Sequence, residues 1–147
     1  MRWEIKSFDE LTTAELYAAI QLRVAVFVIE QNCPYQDLDY SDQKALHLMG
    51  YDTENRLAAY TRLFDKGIKY AEASIGRVVT ASFARGKGAG RELMEESIKQ
   101  IYQQFGQQPI RISAQQYLEK FYTSLGFKTV SEMYLEDDIP HVEMLKA

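Results

Sequence analysis

Apolar residues along this chain alternate between two spacings, and the changes of spacing mark out the elements. Leu16, Ile20, Val24 and Phe27 recur at three- and four-residue steps, the period of one helical face. Thr12-Thr13-Ala14-Glu15 has the Thr-x-x-Glu form of a capping box, so a helix is predicted to start there. It should run until Cys33-Pro34, where proline stops it. Segments 47–51 and 56–64 are rich in β-branched and aromatic residues and flank Asp52-Thr53-Glu54-Asn55, which predicts a hairpin. A further strand over 74–80 runs into Gly86, Gly88 and Gly90. The period then changes again, with Leu93, Met94, Ile98, Ile101 and Phe105 at helical spacing.

A strand over 109–114 follows. Leu118, Phe121, Tyr122 and Leu125 mark a second helix beyond the glycine segment, with Gly126 as its C′ residue. Two closing strands are predicted near 129–134 and 141–145, separated by Glu136-Asp137-Asp138. No repeat or linker interrupts the chain, so residues 1–147 read as one domain. The order predicts an α/β fold (α+β mixed sheet) with helices on both faces.

Composition narrows the function. Hydrophobic residues make up 46% and charged residues 26%, as expected of a globular protein. The net charge of −4 and the lack of a basic run argue against nucleic acid as a partner. The longest apolar run, Val24-Ala25-Val26-Phe27-Val28-Ile29, falls far short of the roughly 20 residues a membrane-spanning helix needs. The first residues lack a signal-peptide core, so a cytoplasmic location is expected. The single cysteine, Cys33, agrees with a reducing compartment.

The chemistry lies in the glycines. Gly86, Gly88 and Gly90 alternate between a strand and a helix start, where free N–H groups and the positive end of the dipole favour an anion. Arg85 and Lys87 add charge. A Walker loop would need Ser or Thr after Lys87, where Gly88 stands, and a dinucleotide fingerprint would need glycine at Arg91. A purely structural glycine turn is the remaining plain reading.

Arg85-Gly86-Lys87-Gly88-Ala89-Gly90 resembles the R/Q-x-x-G-x-G/A acetyl-coenzyme A signature of the GNAT N-acetyltransferases. Gln115 with Phe121-Tyr122-x-x-x-Gly126-Phe127 is similar to the family's second motif, which an Asn usually leads. Gln21-Leu22-Arg23-Val24, Cys33-Pro34-Tyr35 and Ile139-Pro140-His141-Val142-Glu143-Met144 resemble the ElaA-like branch. Together the match covers nearly the whole chain. It implies a mostly antiparallel mixed sheet, flanked by helices, whose fourth and fifth strands splay into a V. The pantetheine arm of acetyl-CoA would pair with main-chain groups of Val78, Val79 and Thr80. Its pyrophosphate would rest on Arg85 to Gly90, with Gln115 nearby. Thr80 and Ser82 stand where many members carry Val and Pro.

The resemblance also gives Tyr122 to the departing thiolate as hydrogen-bond or proton donor; periodicity alone reads it equally well as a core aromatic. The base is left open among His47, His141, Glu30, Glu143 and the group Asp37, Asp39 and Asp42. These aspartates and Glu136-Asp137-Asp138 read first as two solvated loops, and alternatively as a mouth for a cationic amine. Cys33 offers a rival acyl-cysteine route, though no nucleophile motif surrounds it. The expected reaction is direct transfer of acetyl from acetyl-CoA to a primary amine, on a small molecule or a protein N-terminus. No metal is implied, and a homodimer is compatible. The alternative is a non-catalytic acyl-CoA-binding or sensing module.

Overall fold

In the computed structural model, which describes residues 1–147, helix α1 (Thr13–Arg23) begins at the anticipated capping box. Glu15 N donates to Thr12 Oγ1 at 3.1 Å and Thr12 N donates to Glu15 Oε1 at 2.8 Å, which satisfies two otherwise orphaned N–H groups. The chain then widens into a π-helical segment over Val24–Glu30. Gln31 N reaches Val26 O and Cys33 N reaches Val28 O, each five residues back. This corrects the expectation of one regular helix to Cys33. π turns of this kind gather at functional sites.

The sheet comprises β1 (Arg2–Ser7), β2 (Leu46–Tyr51), β3 (Leu57–Phe64), β4 (Ala73–Thr80), β5 (Ile110–Gln115), β6 (Lys128–Thr129), β7 (Tyr134–Glu136) and β8 (Ile139–Lys146). Its order is β1-β2-β3-β4-β5-β8-β6, with β7 also paired to β8. Every pairing is antiparallel except β4 with β5. Helix α2 (Ala89–Phe105) follows β4, and α3 (Glu119–Ser124) follows β5. No helix is long and apolar enough to cross a membrane.

Two parts of the sheet differ from the sequence reading. Strand β1 was not anticipated, because Arg2, Glu4 and Lys6 take alternate places in its short run and no residue of it is fully buried. The expected strand over 129–134 is two fragments. Val130 N still reaches Glu143 O, but Glu143 N turns to Ser131 Oγ, so a side chain replaces a ladder bond and residues 130–133 leave the sheet. Between β7 and β8, Asp137 (φ 52°) and Asp138 (φ 62°) form the tight two-residue turn that aspartate tolerates.

The two faces of the sheet are packed differently. Ile75, Ile112, Ala114, Val142 and Met144 pack with Met94, Ile98 and Ile101 of α2 and Tyr122 of α3. On the other face, Met49, Tyr60, Val79 and Ala81 pack with Ala19 and Leu22 of α1 and with Val26. Alternation along the strands therefore sends Ser113, Gln115, His141 and Glu143 to the α1 side.

The parallel pair β4–β5 is held at only two positions, Ala73 with Ile110 and Ser74 with Arg111. Beyond Ser74 the strands part. Strand β4 also carries a bulge, since Arg77 and Val78 together oppose Thr61 and Arg77 sits at φ 51°. A bulge bends its strand and re-aims its main chain, which directs the free edge of β4 into the gap.

Candidate functional site

Where β4 and β5 separate, a cleft of about 870 Å³ opens, reaching from the glycine loop to the β7–β8 hairpin. Along one wall Val78, Val79 and Thr80 present a strand edge with no partner on the β5 side. Ala81 N donates to Ala58 O, so by alternation Val79 turns its main-chain groups to Tyr60 of β3, while Thr80 turns its own to the gap, where Thr80 O accepts from Arg85. A ligand that adds itself as a strand would pair with the outward groups on either side of Val79.

At one end lies the loop between β4 and α2. Gly86 (φ 81°) and Gly88 (φ 75°) adopt left-handed conformations, and Gly88 is the residue before the first turn of the 17-residue α2. A Cβ on Gly86, Gly88 or Gly90 would meet nothing within 4 Å, so the loop faces open space. Lys87 is exposed beside it. Arg85 Nη2 donates to Thr80 O at 3.1 Å and to Glu30 Oε2 at 3.1 Å, which anchors its guanidinium across the cleft mouth. Ala89 instead buries its methyl against Ala58 and Ala84, leaving only its main chain to face a ligand. The open loop, the free N–H groups and the two cations are compatible with an anion such as a phosphate.

Tyr122 reaches the cleft from α3 and packs edge-on against Phe121 and Phe127, with ring centroids 5.1 and 6.1 Å away. Burial pushes its phenol well above the ordinary value, so the hydroxyl keeps its proton. It is therefore a donor and not a base.

His141 lines the cleft from the opposite face. Its Nδ1 lies 2.7 Å from Ile139 O, a carbonyl that can only accept, so Nδ1 carries the hydrogen and Nε2 of the neutral ring is the acceptor. Nε2 stands 3.4 Å from Glu136 Oε2, and the ring stacks on Tyr134. Tyr134 in turn shares a 2.5 Å hydrogen bond with Ser113 Oγ. His141 pairs with Gln115 in the sheet. Counting on from the Ser74–Arg111 rung, with one residue absorbed in the bulge, Val79 also falls at the level of Gln115. Tyr122, the free β4 edge and His141 thus line one cleft. Gln115 joins them, its Nε2 at 3.4 Å from Gln31 Oε1.

His47 requires correction as a catalytic candidate. It is buried away from the cleft, with Nδ1 at 2.6 Å from Tyr60 OH and Nε2 at 2.9 Å from Asp42 O. Burial lowers its basicity, and both nitrogens are occupied. The three aspartates also differ from both readings, a solvated loop or a mouth for a cationic amine: Asp37 and Asp42 are buried, Asp39 is half-buried at the cleft, and arginines engage all three. Arg23 Nε donates to Asp37 at 2.9 Å and its Nη1 to Asp42 at 2.7 Å, while Arg62 Nη2 donates to Asp39 at 2.7 Å and Arg77 Nε to Asp37 at 2.8 Å. Hydrogen bonding from Arg62 holds Asp39 well below the usual carboxylate range. Glu143 lies outside the cleft on Arg111, and Glu30 faces Arg85. The Cys33 thiol points at Asp137 O, 3.2 Å away, with neither histidine bonded to it.

Sequence reasoning missed Arg62, Lys69 and Arg77, which all line the cleft. They lie on a strand, a connection and a bulge with no shared motif, and only the fold brings them together.

Comparison with known proteins bears on the family and the fold. Residues 13–147 match the family model described as acetyltransferase (GNAT) domain. Protein ElaA of Escherichia coli K12 is 38% identical over 148 residues, covering 99% of this chain and 96% of its own. Its crystal structure superposes with a TM-score of 0.91 over 99% of each chain. An acyl-CoA N-acyltransferase from Pseudomonas aeruginosa superposes with a TM-score of 0.93 at 43% identity over the full length of both chains. At 16% identity, an aminoglycoside 6'-N-acetyltransferase complexed with coenzyme A shares the fold, with a TM-score of 0.70 over 97% of this chain and 96% of its own.

Proposed function

Because the chain belongs to the GNAT acetyltransferase family, in its ElaA-like branch, we propose that it transfers the acetyl group of acetyl-CoA directly to a primary amine. The observation that carries this reading is the cleft itself, where a phosphate-compatible glycine loop, an unpaired strand edge, a buried phenol and an imidazole converge. Residues 85–90 would hold the pyrophosphate. Outward main-chain groups of Val78 and Thr80, flanking Val79, would pair with the pantetheine amides, with Gln115 across the gap. Acetyl-CoA supplies an activated thioester.

Chain residues then provide the rest. A main-chain N–H near Val79 can stabilise the developing oxyanion, worth about 3 kcal/mol for a pre-aligned donor. His141 Nε2 accepts the amine proton, and the resulting imidazolium faces Glu136. Tyr122 donates to the departing thiolate from the other side. Its phenol is too weak an acid for complete transfer, so a hydrogen bond to the charged sulfur does the task. No covalent enzyme intermediate is needed, which fits a Cys33 thiol turned to a main-chain carbonyl.

The reading is tested by incubating the protein with acetyl-CoA and a panel of amines, following coenzyme A release and the mass of the product. An amine-dependent release supports it; no release above buffer hydrolysis, with no acetylated product, overturns it. Tyr122→Phe is expected to lower kcat about 10- to 100-fold, the range for a hydrogen bond to a charged group of about 1.5–3 kcal/mol. The KM for acetyl-CoA and the circular dichroism spectrum should match the parent, and an unchanged kcat would return Tyr122 to the core.

Gly88→Val places a branched side chain where φ is 75° and where the pyrophosphate would lie. The left-handed backbone alone should cost about 1–2 kcal/mol of stability. The larger effect is on binding. Acetyl-CoA at 100 times its dissociation constant should stabilise the parent by about 2.7 kcal/mol, and that rise in Tm should vanish in the variant.

A further inference from the structure

We propose that the end of the cleft remote from the glycine loop is an anion subsite, so that the acceptor is an amine bearing a carboxylate. This rests on the acetyl-transfer reading above and names its substrate class. Arg62 Nε is the one buried side-chain polar atom in the structure with no hydrogen-bond partner, on a side chain only 3% exposed. Leaving a buried donor unpaired costs about 1–3 kcal/mol, so such an atom calls for a partner. Gly76 pairs with Arg62 across β3 and β4, and both line the cleft. A Cβ on Gly76 would stand 3.8 Å from Nε, so the strand is bare of side chain beside this N–H.

Lys69, from the β3–β4 connection, lines the same end. Its ammonium lies 3.5 Å from Asp39 and 5.6 Å from the Phe64 ring centroid, and a third of the side chain remains exposed. Four cations, Arg23, Arg62, Lys69 and Arg77, meet only three carboxylates in this network. The surplus is one positive charge, and the unused donors belong to cations. An incoming carboxylate supplies the missing charge and accepts charge-assisted hydrogen bonds. A second ammonium, as on a diamine, would meet like charge here.

The spacing is compatible. From Gly76 to Val79 the strand advances three residues, one of them absorbed in the bulge, or about 7–10 Å at 3.3 Å per residue. An amine at the level of Val79 and His141 can therefore belong to the same small molecule as a carboxylate at the level of Gly76.

The test compares γ-aminobutyrate and its longer homologues with the n-alkylamines and α,ω-diamines of equal length. Wild-type protein should show a KM for the best amino acid about tenfold or more below that of its alkylamine, as one charge-assisted hydrogen bond predicts. Lys69→Ala should raise the amino-acid KM and leave the alkylamine KM unchanged, and Lys69→Glu should shift preference to the diamines. Equal KM values, or a wild-type preference for diamines, would overturn the subsite. A second arm needs no acetyl transfer: calorimetric titration of the acetyl-CoA-saturated protein with glutarate. Heat in the wild type that Lys69→Glu abolishes supports the subsite, and absence of heat in the wild type overturns it. Glutarate binding without acetylation of any amine would leave the subsite standing and remove the transfer reading instead.

Discussion

Replacement of His141 by alanine is expected to lower kcat/KM for the amine about 10²- to 10⁴-fold, the usual contribution of a positioned general base. The direction follows from the ring's hydrogen bonds. Ile139 O fixes the hydrogen on Nδ1, which leaves the Nε2 lone pair as acceptor beside the Glu136 carboxylate. A proton taken up there forms an ion pair, while an alanine leaves the amine to lose its proton to water. His141→Asn can keep a donor to Ile139 O but offers no base, so it should lose as much rate as alanine. Acetyl-CoA should still raise Tm in both variants. Equal kcat/KM in wild type and the two variants would move proton removal to water or another group.

Arg23→Leu is expected to destabilise the fold by about 3 kcal/mol, a large share of the 5–15 kcal/mol that holds a typical domain together. Arg23 is fully buried and donates to Asp37 and Asp42. Leucine would leave part of two buried carboxylates unpaired. The cost stays at the low end for a broken buried pair because Arg62 still reaches Asp42 and Arg77 still reaches Asp37. The effect depends on pH. Burial alone would raise the Asp42 pKa, but Arg23 and Arg62 outweigh it and hold the group below the usual range. A carboxyl depressed in the folded state contributes stability that is complete above its unfolded value of about 3.9 and is lost as pH falls through the folded value. Without Arg23 that depression shrinks, so acid unfolding should begin at higher pH. Urea denaturation at neutral and acidic pH measures both effects, and a midpoint within error of wild type would show that the network contributes nothing net.

Much of the architecture was legible because it rests on local rules. The Thr12 capping box, the Asp52–Asn55 turn, the period change after Gly90 and the stop at Gly126 each have a short-range cause, and each stands where the sequence puts it. The loop at 85–90 was legible for the same reason. What escaped depends on distant partners. His47 and His141 look alike in sequence, yet one is locked between Tyr60 and Asp42 while the other opens on the cleft. Asp37 and Asp42 read as solvated loop residues because the arginines that bury them come from α1, β3 and the β4 bulge. The π segment likewise depends on packing, since its β-branched residues look helical by period alone.

Tyr122 rises from the α2–α3 side of the sheet while His141 and the cationic end of the cleft lie on the α1 side. In the proposed arrangement the pantetheine arm fills the gap between β4 and β5 as an inserted strand, so the coenzyme itself becomes part of the wall that separates the two faces. The acceptor, held on the α1 face, meets the thioester only where that wall ends. A single compound that joins coenzyme in the gap to amino acid on the α1 face would gather the contacts of both, and linking them can exceed either affinity by about 10²–10⁴-fold without a new contact.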